Sequence, residues 1–307
     1  MFDSLVLVTR KTRLQGLIER FNTRAQAKFY LEHAGLDFDD YQREDDVYRR
    51  ALEQSLHAID FGLKLQTIER AMLPTFMFSN STLVIAIGQD GLVANTAKYI
   101  GSQPLIGVNP DPTRFDGVLL PFSVDSLRRG AESALTSKAR IANITLAQAT
   151  LNDGQKLLGF NDIFIGSQTH VSAQYRVRIG SQTAERQSSS GIIISTGAGS
   201  TGWLSSVFNM ASAMSQLIGG PAIASMKFDR EDPRLFFTVR EPFVSHHSSA
   251  ECVGGFLQTD SVLEVESLMT GGGVIFSDGV EKDFLEFNSG SVARISAAAH
   301  RAKLVLA

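Results

Sequence analysis

The segment Leu83-Val-Ile-Ala-Ile-Gly-Gln-Asp-Gly91 determines the predicted fold class of the N-terminal half. Its first five residues form a continuous apolar run, which is typical of a strand buried on both faces of a parallel sheet. The run leads directly into the turn Gly88-Gln-Asp-Gly91, and a helix is predicted after the turn, from Leu92 to Ile100. A strand that ends in a glycine-rich turn before a helix is the unit of an open α/β sheet.

Neighbouring segments extend this pattern. Leu5-Val-Leu-Val8 and Leu105-Ile-Gly-Val108 are further short apolar strands. Apolar residues at helical spacing predict one helix from Leu14 to Phe29 and a second from Val47 to Ile59. We therefore expect a Rossmann-like open α/β domain over residues 1–125.

The pattern changes near Arg140, where apolar and polar residues begin to alternate, as they do from Val171 to Ile179. Asn152-Asp-Gly154 and Asp278-Gly279 have the composition of hairpin turns. One helix, from Trp203 to Ile218, interrupts the strands. This pattern predicts an antiparallel β-sandwich domain over residues 126–292, so the fold class is α/β plus all-β.

Composition narrows the function. The net charge of −3 argues against a general nucleic-acid or membrane-surface binder. Leu5 to Val8 is too short for a secretory signal, and no apolar run approaches the roughly 20 residues of a membrane span, so we expect a cytoplasmic protein. Cys252 is the single cysteine, which excludes an intrachain disulfide. His170, His246 and His247 lack the spacing of a metal site, and we expect no metal held by the protein alone.

The turn Gly88-Gln-Asp-Gly91 is the first candidate site. Ligands of open α/β sheets bind beyond the carboxyl ends of the strands, and the two glycines let the backbone approach a phosphate while Asp90 points outward. The same residues also fit a simple turn in which Asp90 caps the following helix. These four residues alone do not separate the two interpretations.

The second candidate is Ser195-Thr-Gly-Ala-Gly-Ser-Thr-Gly-Trp203, which follows the strand Ile192 to Ile194. Its glycines and hydroxyls supply many donors at the start of a helix, which favours a nucleotide cradle over a long capping loop, since a cap needs only one hydroxyl. No lysine follows the glycines, so the segment is not a Walker A loop, and Ala198 takes the place of the serine of a nucleophile elbow.

Three further segments are ambiguous. Asn161-Asp162 precedes a strand, and for this pair taken alone a plain turn is a better explanation than a binding role. Arg114 in the turn Pro110 to Gly117 and the basic loop Arg10-Lys-Thr-Arg13 suit either a phosphate or surface ion pairs.

In this order, the segments resemble the NAD kinase family. The family pattern is Gly-Gly-Asp-Gly, then Asn-Glu, then Ser-Thr-Pro-Thr-Gly-Ser-Thr-Ala-Tyr, then a late Asp-Gly. The corresponding segments are Gly88 to Gly91, Asn161-Asp162, Ser195 to Trp203 and Asp278-Gly279. The resemblance covers most of the chain.

The mitochondrial-type branch is the most similar part of the family. Leu105 to Pro112 with Arg114 and Gly117 resembles that branch's own turn, as do Ser189-Ser-Gly191 and Trp203. The resemblance also implies that the C-terminal segment, residues 293–307, returns to the first domain.

The resemblance implies an ATP-dependent kinase that phosphorylates the 2′-hydroxyl of the adenosine ribose of NAD, with Mg²⁺ delivered by ATP. Asp90 matches the family's catalytic base. The homo-oligomer that it implies would be a dimer or tetramer. The residues expected to bind ATP or phosphate are Gly88, Gln89, Gly91, Arg13 and Arg114. Those expected to bind NAD are Asn161, Asp162, Ser190, Ser195, Thr196, Gly199, Ser200, Thr201, Gly202, Trp203 and Asp278.

The chain departs from the family pattern at four positions. Gln89 replaces a glycine, Asp162 is one methylene shorter than the usual Glu, Ser190 stands where most members have an Asp, and Ala198 replaces a hydroxyl. Two other functions stay open: a lipid kinase of the diacylglycerol or sphingosine type, and an NAD(P)-binding sensor without catalysis.

Overall fold

The structure is a computed structural model that describes residues 2–307. The helices are α1 Arg13–Phe21, α2 Arg24–His33, α3 Phe38–Ala58, α4 Asp90–Tyr99, α5 Val124–Leu135 and α6 Trp203–Leu217, with 3-10 turns at Arg70–Thr75 and Ala198–Thr201. The strands are β1 Ser4–Thr9, β2 Lys64–Glu69, β3 Thr82–Ile87, β4 Pro104–Asn109, β5 Phe122–Ser123, β6 Ile141–Ile144, β7 Ala147–Leu151, β8 Lys156–Gly159, β9 Asp162–Ser167, β10 Ala173–Ile179, β11 Glu185–Ser189, β12 Ile192–Ser195, β13 Leu235–Val239, β14 Gly254–Leu257, β15 Leu263–Ser267, β16 Gly273–Ser277, β17 Phe284–Glu286, β18 Val292–Ala297 and β19 Ala302–Val305.

The chain forms two compact units, one containing residues up to 142 together with 302–307, the other containing residues 143–301. These boundaries, after residues 142 and 301, differ from the predicted boundaries, which lie after residues 125 and 292. Helix α5 contributes Leu127 and Ala131 to the core of the first unit, so the boundary lies after it. Strand β18 pairs with β15 and β7 of the second unit, so the returning segment begins only at β19.

The first unit is an open α/β sheet with the strand order β2-β1-β3-β4-β19-β6, and β5 pairs with β4. The pairs of β1 with β2 and β3, and of β4 with β3, β5 and β19, are parallel. Every residue of β3 is buried, as a strand covered on both faces requires. The predicted Rossmann-like class is confirmed, and only residues 302–307 of the C-terminal segment belong to this unit.

The helices before β2 differ from the prediction. The single helix expected from Leu14 to Phe29 is two helices, because Asn22 adopts a left-handed conformation with φ 64° and the Thr23 side chain accepts the Gln26 N–H as a new cap. Helix α3 begins at Phe38 rather than Val47, since Asp37 caps it by accepting the Asp39 N–H. The cap, rather than the apolar periodicity, therefore sets each helix start.

The second unit is a β-sandwich of two antiparallel sheets, as predicted. One sheet has the order β11-β10-β15-β18-β7-β8 and the other β14-β13-β12-β9-β16-β17. Tyr175, Ile165, Phe237 and Phe287 are fully buried between them. Residues 152–154 connect the antiparallel pair β7 and β8, which confirms the predicted hairpin.

Candidate functional site

Asp90 is the first residue of α4, directly beyond the carboxyl end of β3. Gln89 occupies the N-cap, and its side chain makes no capping hydrogen bond. The Asp90 side chain does not cap the helix either: its Oδ1 accepts the backbone N–H of Leu119 at 2.7 Å. The capping interpretation is therefore wrong, and the half-buried carboxylate is held by a different loop.

The second oxygen of Asp90 is available. Within the described part of the first unit, Oδ2 accepts no hydrogen bond. A negative charge in the first turn of a helix is stabilised by the unpaired N–H groups and the dipole there. A carboxylate that is fixed through one oxygen and free at the other can accept a proton from a bound hydroxyl.

The two glycines of the turn serve different purposes. A Cβ added to Gly91 would have no atom within 4 Å, so this glycine leaves open space at the N-terminus of α4. A Cβ on Gly88 would lie 3.0 Å from Leu92 Cδ2 and 3.3 Å from Arg10 Cδ. A Cβ on Gly88 would therefore press on two flexible side chains, whereas a Cβ on Gly91 would enter open space.

The loop that holds Asp90 depends on Asn109, which sequence reasoning did not single out. The Asn109 amide donates to the Phe115 carbonyl at 2.8 Å, and its Oδ1 accepts the Asp111 N–H at 3.0 Å. A Cβ on Gly107 would collide with the Leu119 carbonyl oxygen, so this glycine allows the loop to approach β4. The only sequence signal was the turn shared with the mitochondrial-type branch.

Three arginines and two carboxylates form an arginine cluster near this turn: Arg10, Arg13, Arg114, Asp40 and Glu44. Arg114 binds Asp40 through two hydrogen bonds of 3.0 and 2.9 Å, and Arg13 binds the same carboxylate at 2.9 Å. Arg10 donates to Glu44 at 3.1 Å, and Arg13 contacts Glu44 as well. The predicted phosphate ligands Arg13 and Arg114 are therefore engaged in ion pairs.

These pairs keep both carboxylates charged. The hydrogen bonds from Arg114 and Arg13 hold the pKa of Asp40 well below its usual range. Burial would raise the pKa of Glu44, but the hydrogen bonds from Arg13 and Arg10 outweigh it, so the net pKa is lowered. Three guanidinium groups against two carboxylates leave one positive charge in the cluster, and Arg10 is the member that packs against Gly88.

In the second unit, Asp278 holds the backbone before β9. Its carboxylate accepts the N–H groups of Phe160 at 3.0 Å, Asn161 at 2.6 Å and Asp162 at 3.3 Å. Asp278 itself adopts φ 53°, a left-handed conformation that Asp tolerates. These bonds give this predicted ligand a second function: it positions the pair Asn161-Asp162.

Thr196 fixes the same backbone from the other side. Its hydroxyl donates to the Phe160 carbonyl at 2.6 Å and accepts the Gly199 N–H at 3.2 Å, while its own N–H donates to Asn161 O at 2.9 Å. A Cβ on Gly199 would collide with the same Asn161 carbonyl. The two predicted segments are therefore in direct backbone contact.

Most hydroxyls of the Ser195 loop are used inside the fold. The buried Ser195 donates to the Thr196 carbonyl at 3.0 Å, and the buried Ser200 donates to Gly197 O at 2.7 Å. Ser200 also accepts the Phe228 N–H at 3.4 Å. Thr201 and Gly202 are exposed, so they are the members of the loop that face solvent.

Trp203, the first residue of α6, packs on the outer face of the sheet. Its ring stacks on Phe164 with centroids 5.6 Å apart and an interplanar angle of 17°. The guanidinium of Arg240 lies over the same ring, 5.5 Å from its centroid. A Cβ on Gly191 would lie 2.6 Å from the Phe164 ring, so this glycine makes room for the stack.

Ser190 and Arg240 are linked through the backbone. The Ser190 N–H donates to Arg240 O at 2.9 Å, and the Arg240 N–H donates to Gly191 O at 2.8 Å. The pairing of β12 with β13 brings these residues together, although they are distant in the sequence. Sequence reasoning missed Arg240, since an isolated arginine at a strand end gives no distinctive signal.

The remaining predictions concern metals, membranes and the cysteine. Among residues 2–307, no group of three or more His, Cys, Asp or Glu is placed to hold a metal ion. No helix in the described residues has the length and apolarity to cross a membrane. Cys252 is half-buried, and burial raises the pKa of its thiol.

No family model matches the chain. Among curated proteins, it is 21% identical to "NAD kinase 2, mitochondrial" of Rattus norvegicus, over 94% of this chain and 84% of the relative. It is 24% identical to "NAD kinase" of Chlorobaculum tepidum, over 72% of this chain and 70% of the relative.

Two solved structures share the fold. The yeast NADH kinase complexed with NADH aligns with a TM-score of 0.59 and 15% identity, over 99% of this chain and 83% of that one. The NAD kinase from Archaeoglobus fulgidus in complex with ATP aligns with a TM-score of 0.53 and 14% identity, over 98% of this chain and 92% of that one. The resemblance expected from the ordered segments is confirmed by these matches.

Proposed function

We propose that this chain, a relative of the NAD kinases, transfers the γ-phosphoryl group of ATP to the 2′-hydroxyl of the adenosine ribose of NAD, giving NADP and ADP. The observation that carries the proposal is the carboxylate of Asp90. It lies at the carboxyl end of a buried parallel strand, it is anchored by the Leu119 N–H at 2.7 Å, and it adjoins the open space at Gly91.

Asp90 is the proposed general base. Its Oδ2 accepts the proton of the ribose 2′-hydroxyl while that oxygen forms a bond to the γ-phosphorus, and the bond from the γ-phosphorus to the β–γ bridging oxygen breaks to release ADP. Phosphoryl transfer needs mainly positioning and charge neutralisation. The N-terminus of α4 supplies positive potential at the carboxylate, and Arg10 of the net positive arginine cluster packs against Gly88 of the same turn.

Magnesium is proposed to arrive with ATP. Such an ion takes most of its ligands from phosphates and water. Asp90 is the single carboxylate of the turn, and its one available oxygen is assigned to the proton of the 2′-hydroxyl, so the phosphates and water would supply the ligands of the ion. When bound, the ion would neutralise charge on the triphosphate.

The second unit is proposed to bind NAD. Asn161 and Asp162 are held through their backbone by Asp278 and Thr196, which fixes the position of the pair proposed to orient the dinucleotide. Thr201 and Gly202 are exposed at the start of α6. Ser195, Thr196, Gly199 and Ser200 contribute to binding by shaping the loop, because their hydrogen bonds and close contacts lie within the fold.

The test is incubation of the purified protein with Mg-ATP and NAD, followed by an enzymatic assay specific for NADP. Formation of NADP with equimolar ADP supports the proposal. Binding of NAD in calorimetry without NADP formation identifies a non-catalytic sensor. Phosphorylation of diacylglycerol or sphingosine in vesicles, with none of NAD, identifies a lipid kinase.

The expected homo-oligomer, a dimer or tetramer, is proposed to involve α6. Met210, Met214, Leu217 and Ile218 are between 51% and 84% exposed, and the sequence from Trp203 to Met226 contains no charged residue. A contiguous apolar surface of this kind is typical of an interaction site. Sedimentation velocity of Met214→Lys against the parent chain tests it, with a smaller assembly expected. The cytoplasmic location stays a prediction.

A further inference from the structure

Arg240 differs from the paired arginines of the β-sandwich. Arg176, Arg178, Arg234 and Arg294 each bind a carboxylate within 3.1 Å. Arg240 is half-buried as a residue, yet among residues 143–301 its guanidinium makes neither an ion pair nor a side-chain hydrogen bond. A partly buried cation without a counter-charge is costly, so a residue in this state favours an anionic ligand.

The position of Arg240 is fixed from two sides. Its backbone exchanges hydrogen bonds with Ser190 and Gly191 at 2.9 and 2.8 Å. Its guanidinium lies over the ring of Trp203, which leaves the N–H groups at the edge of the guanidinium plane available to an acceptor. Ser190, which lies just before β12, is uncharged and therefore does not compete with a ligand for the guanidinium N–H groups.

A second source of positive potential lies at the same ring. Trp203 opens α6, and the N-cap residue Gly202 provides no side-chain cap, so the first N–H groups of a 15-residue helix lack a side-chain acceptor. Trp203 thus adjoins both groups, since its backbone begins the helix and its ring contacts the guanidinium. A phosphate oxygen is the acceptor that suits both groups.

We propose that Arg240 binds a phosphate group of the dinucleotide and thereby positions NAD on the second unit. This inference rests on the proposed function, since it names how the same site holds its substrate. Either the pyrophosphate of NAD or the 2′-phosphate of NADP supplies the required chemistry. The two sources differ in whether the loss of Arg240 affects both dinucleotides or NADP alone.

The experiment is calorimetric titration of the full chain with NAD and with NADP, for the parent, Arg240→Ala and Arg240→Lys. Removing a charged hydrogen bond should weaken binding about tenfold to hundredfold, and Lys should restore part of the affinity because it keeps the charge without the planar fork. Arg178→Ala is the matched control: this arginine binds Glu264 on the other sheet, and affinity should stay within roughly twofold.

Each outcome has a distinct meaning. Equal weakening of NAD and NADP assigns Arg240 to the pyrophosphate, and weakening of NADP alone assigns it to the 2′-phosphate. Unchanged affinities in a folded Arg240→Ala overturn the inference. A parent chain that binds neither dinucleotide contradicts the proposed function instead. If Arg240→Ala unfolds, Arg240→Met, which keeps the stem over Trp203, is titrated in its place and must show the same loss.

Discussion

The Gly88 turn and the Ser195 loop are both rich in glycine, but their glycines and polar side chains have different functions. In the Gly88 turn, the space at Gly91 is open and the Asp90 carboxylate keeps one oxygen available. In the Ser195 loop, the Asn161 carbonyl occupies the space that a Cβ on Gly199 would need. The hydroxyls of Ser195 and Ser200 donate hydrogen bonds to backbone carbonyls within the fold. The first segment leaves open space and an available acceptor oxygen, whereas the second mainly holds the residues around it.

The largest expected effect is at Asp90. Asp90→Asn keeps an acceptor for the Leu119 N–H but removes the base, so NADP formation should fall by about 10²- to 10⁴-fold while thermal unfolding stays unchanged. Asp125→Asn is the control, because Asp125 is also an acid in the first turn of a helix, α5. Turnover of Asp90→Asn at the parent rate would show that this carboxylate is not the base.

A matched glycine pair tests the comparison directly. Gly199→Ala should lower the free energy of unfolding by about 3 kcal/mol, since its Cβ would collide with the Asn161 carbonyl. Gly91→Ala should leave stability unchanged or raise it by about 0.5–1 kcal/mol, yet reduce NADP formation by occupying the space beside Asp90. Denaturant unfolding and the NADP assay measure both. Equal stability losses would remove the distinction between the two segments.

Asp278 is expected to act through the pair that it positions. Asp278→Ala removes the acceptor of three backbone N–H groups, which should cost about 1–3 kcal/mol of stability and raise the KM for NAD more than it lowers kcat. Asp278→Asn retains one acceptor oxygen and tolerates the left-handed φ of 53°. It should therefore recover part of the lost stability and part of the lost affinity for NAD. A kcat loss at constant KM would instead indicate direct participation in the reaction.

The smallest expected effect is the pH dependence of the arginine cluster. Asp40 and Glu44 have pKa values lowered from the ordinary 3.8 and 4.5, so their ion pairs stabilise the fold above those values and lose that contribution as the pH falls below them. In Asp40→Asn/Glu44→Gln, stability at neutral pH should be lower, and its decline on acidification through this window should be shallower. Parallel curves for parent and variant would mean that the cluster contributes no pH-dependent stability.

The prediction of the fold was strongest where the signal is local. The buried runs Leu5 to Val8, Leu83 to Ile87 and Leu105 to Val108 are strands because short apolar segments indicate burial on both faces. The helix break at Asn22 was missed, since a left-handed residue followed by a threonine cap does not interrupt the apolar periodicity. The domain boundary was placed too early for a similar reason: α5 packs on the first sheet through contacts that composition does not show.

The sequence by itself determined the fold class, the order of the polar turns and the resemblance to the NAD kinases, because periodicity and turn composition are properties of neighbouring residues. Only the tertiary structure decided which polar groups remain available. The Asp90 carboxylate is anchored by an N–H 29 residues away, and Asp278 binds backbone 116 to 118 residues away. A hydrogen bond between distant segments forms only when the sheets bring them together, so the accessibility of each hydroxyl and carboxylate follows from packing.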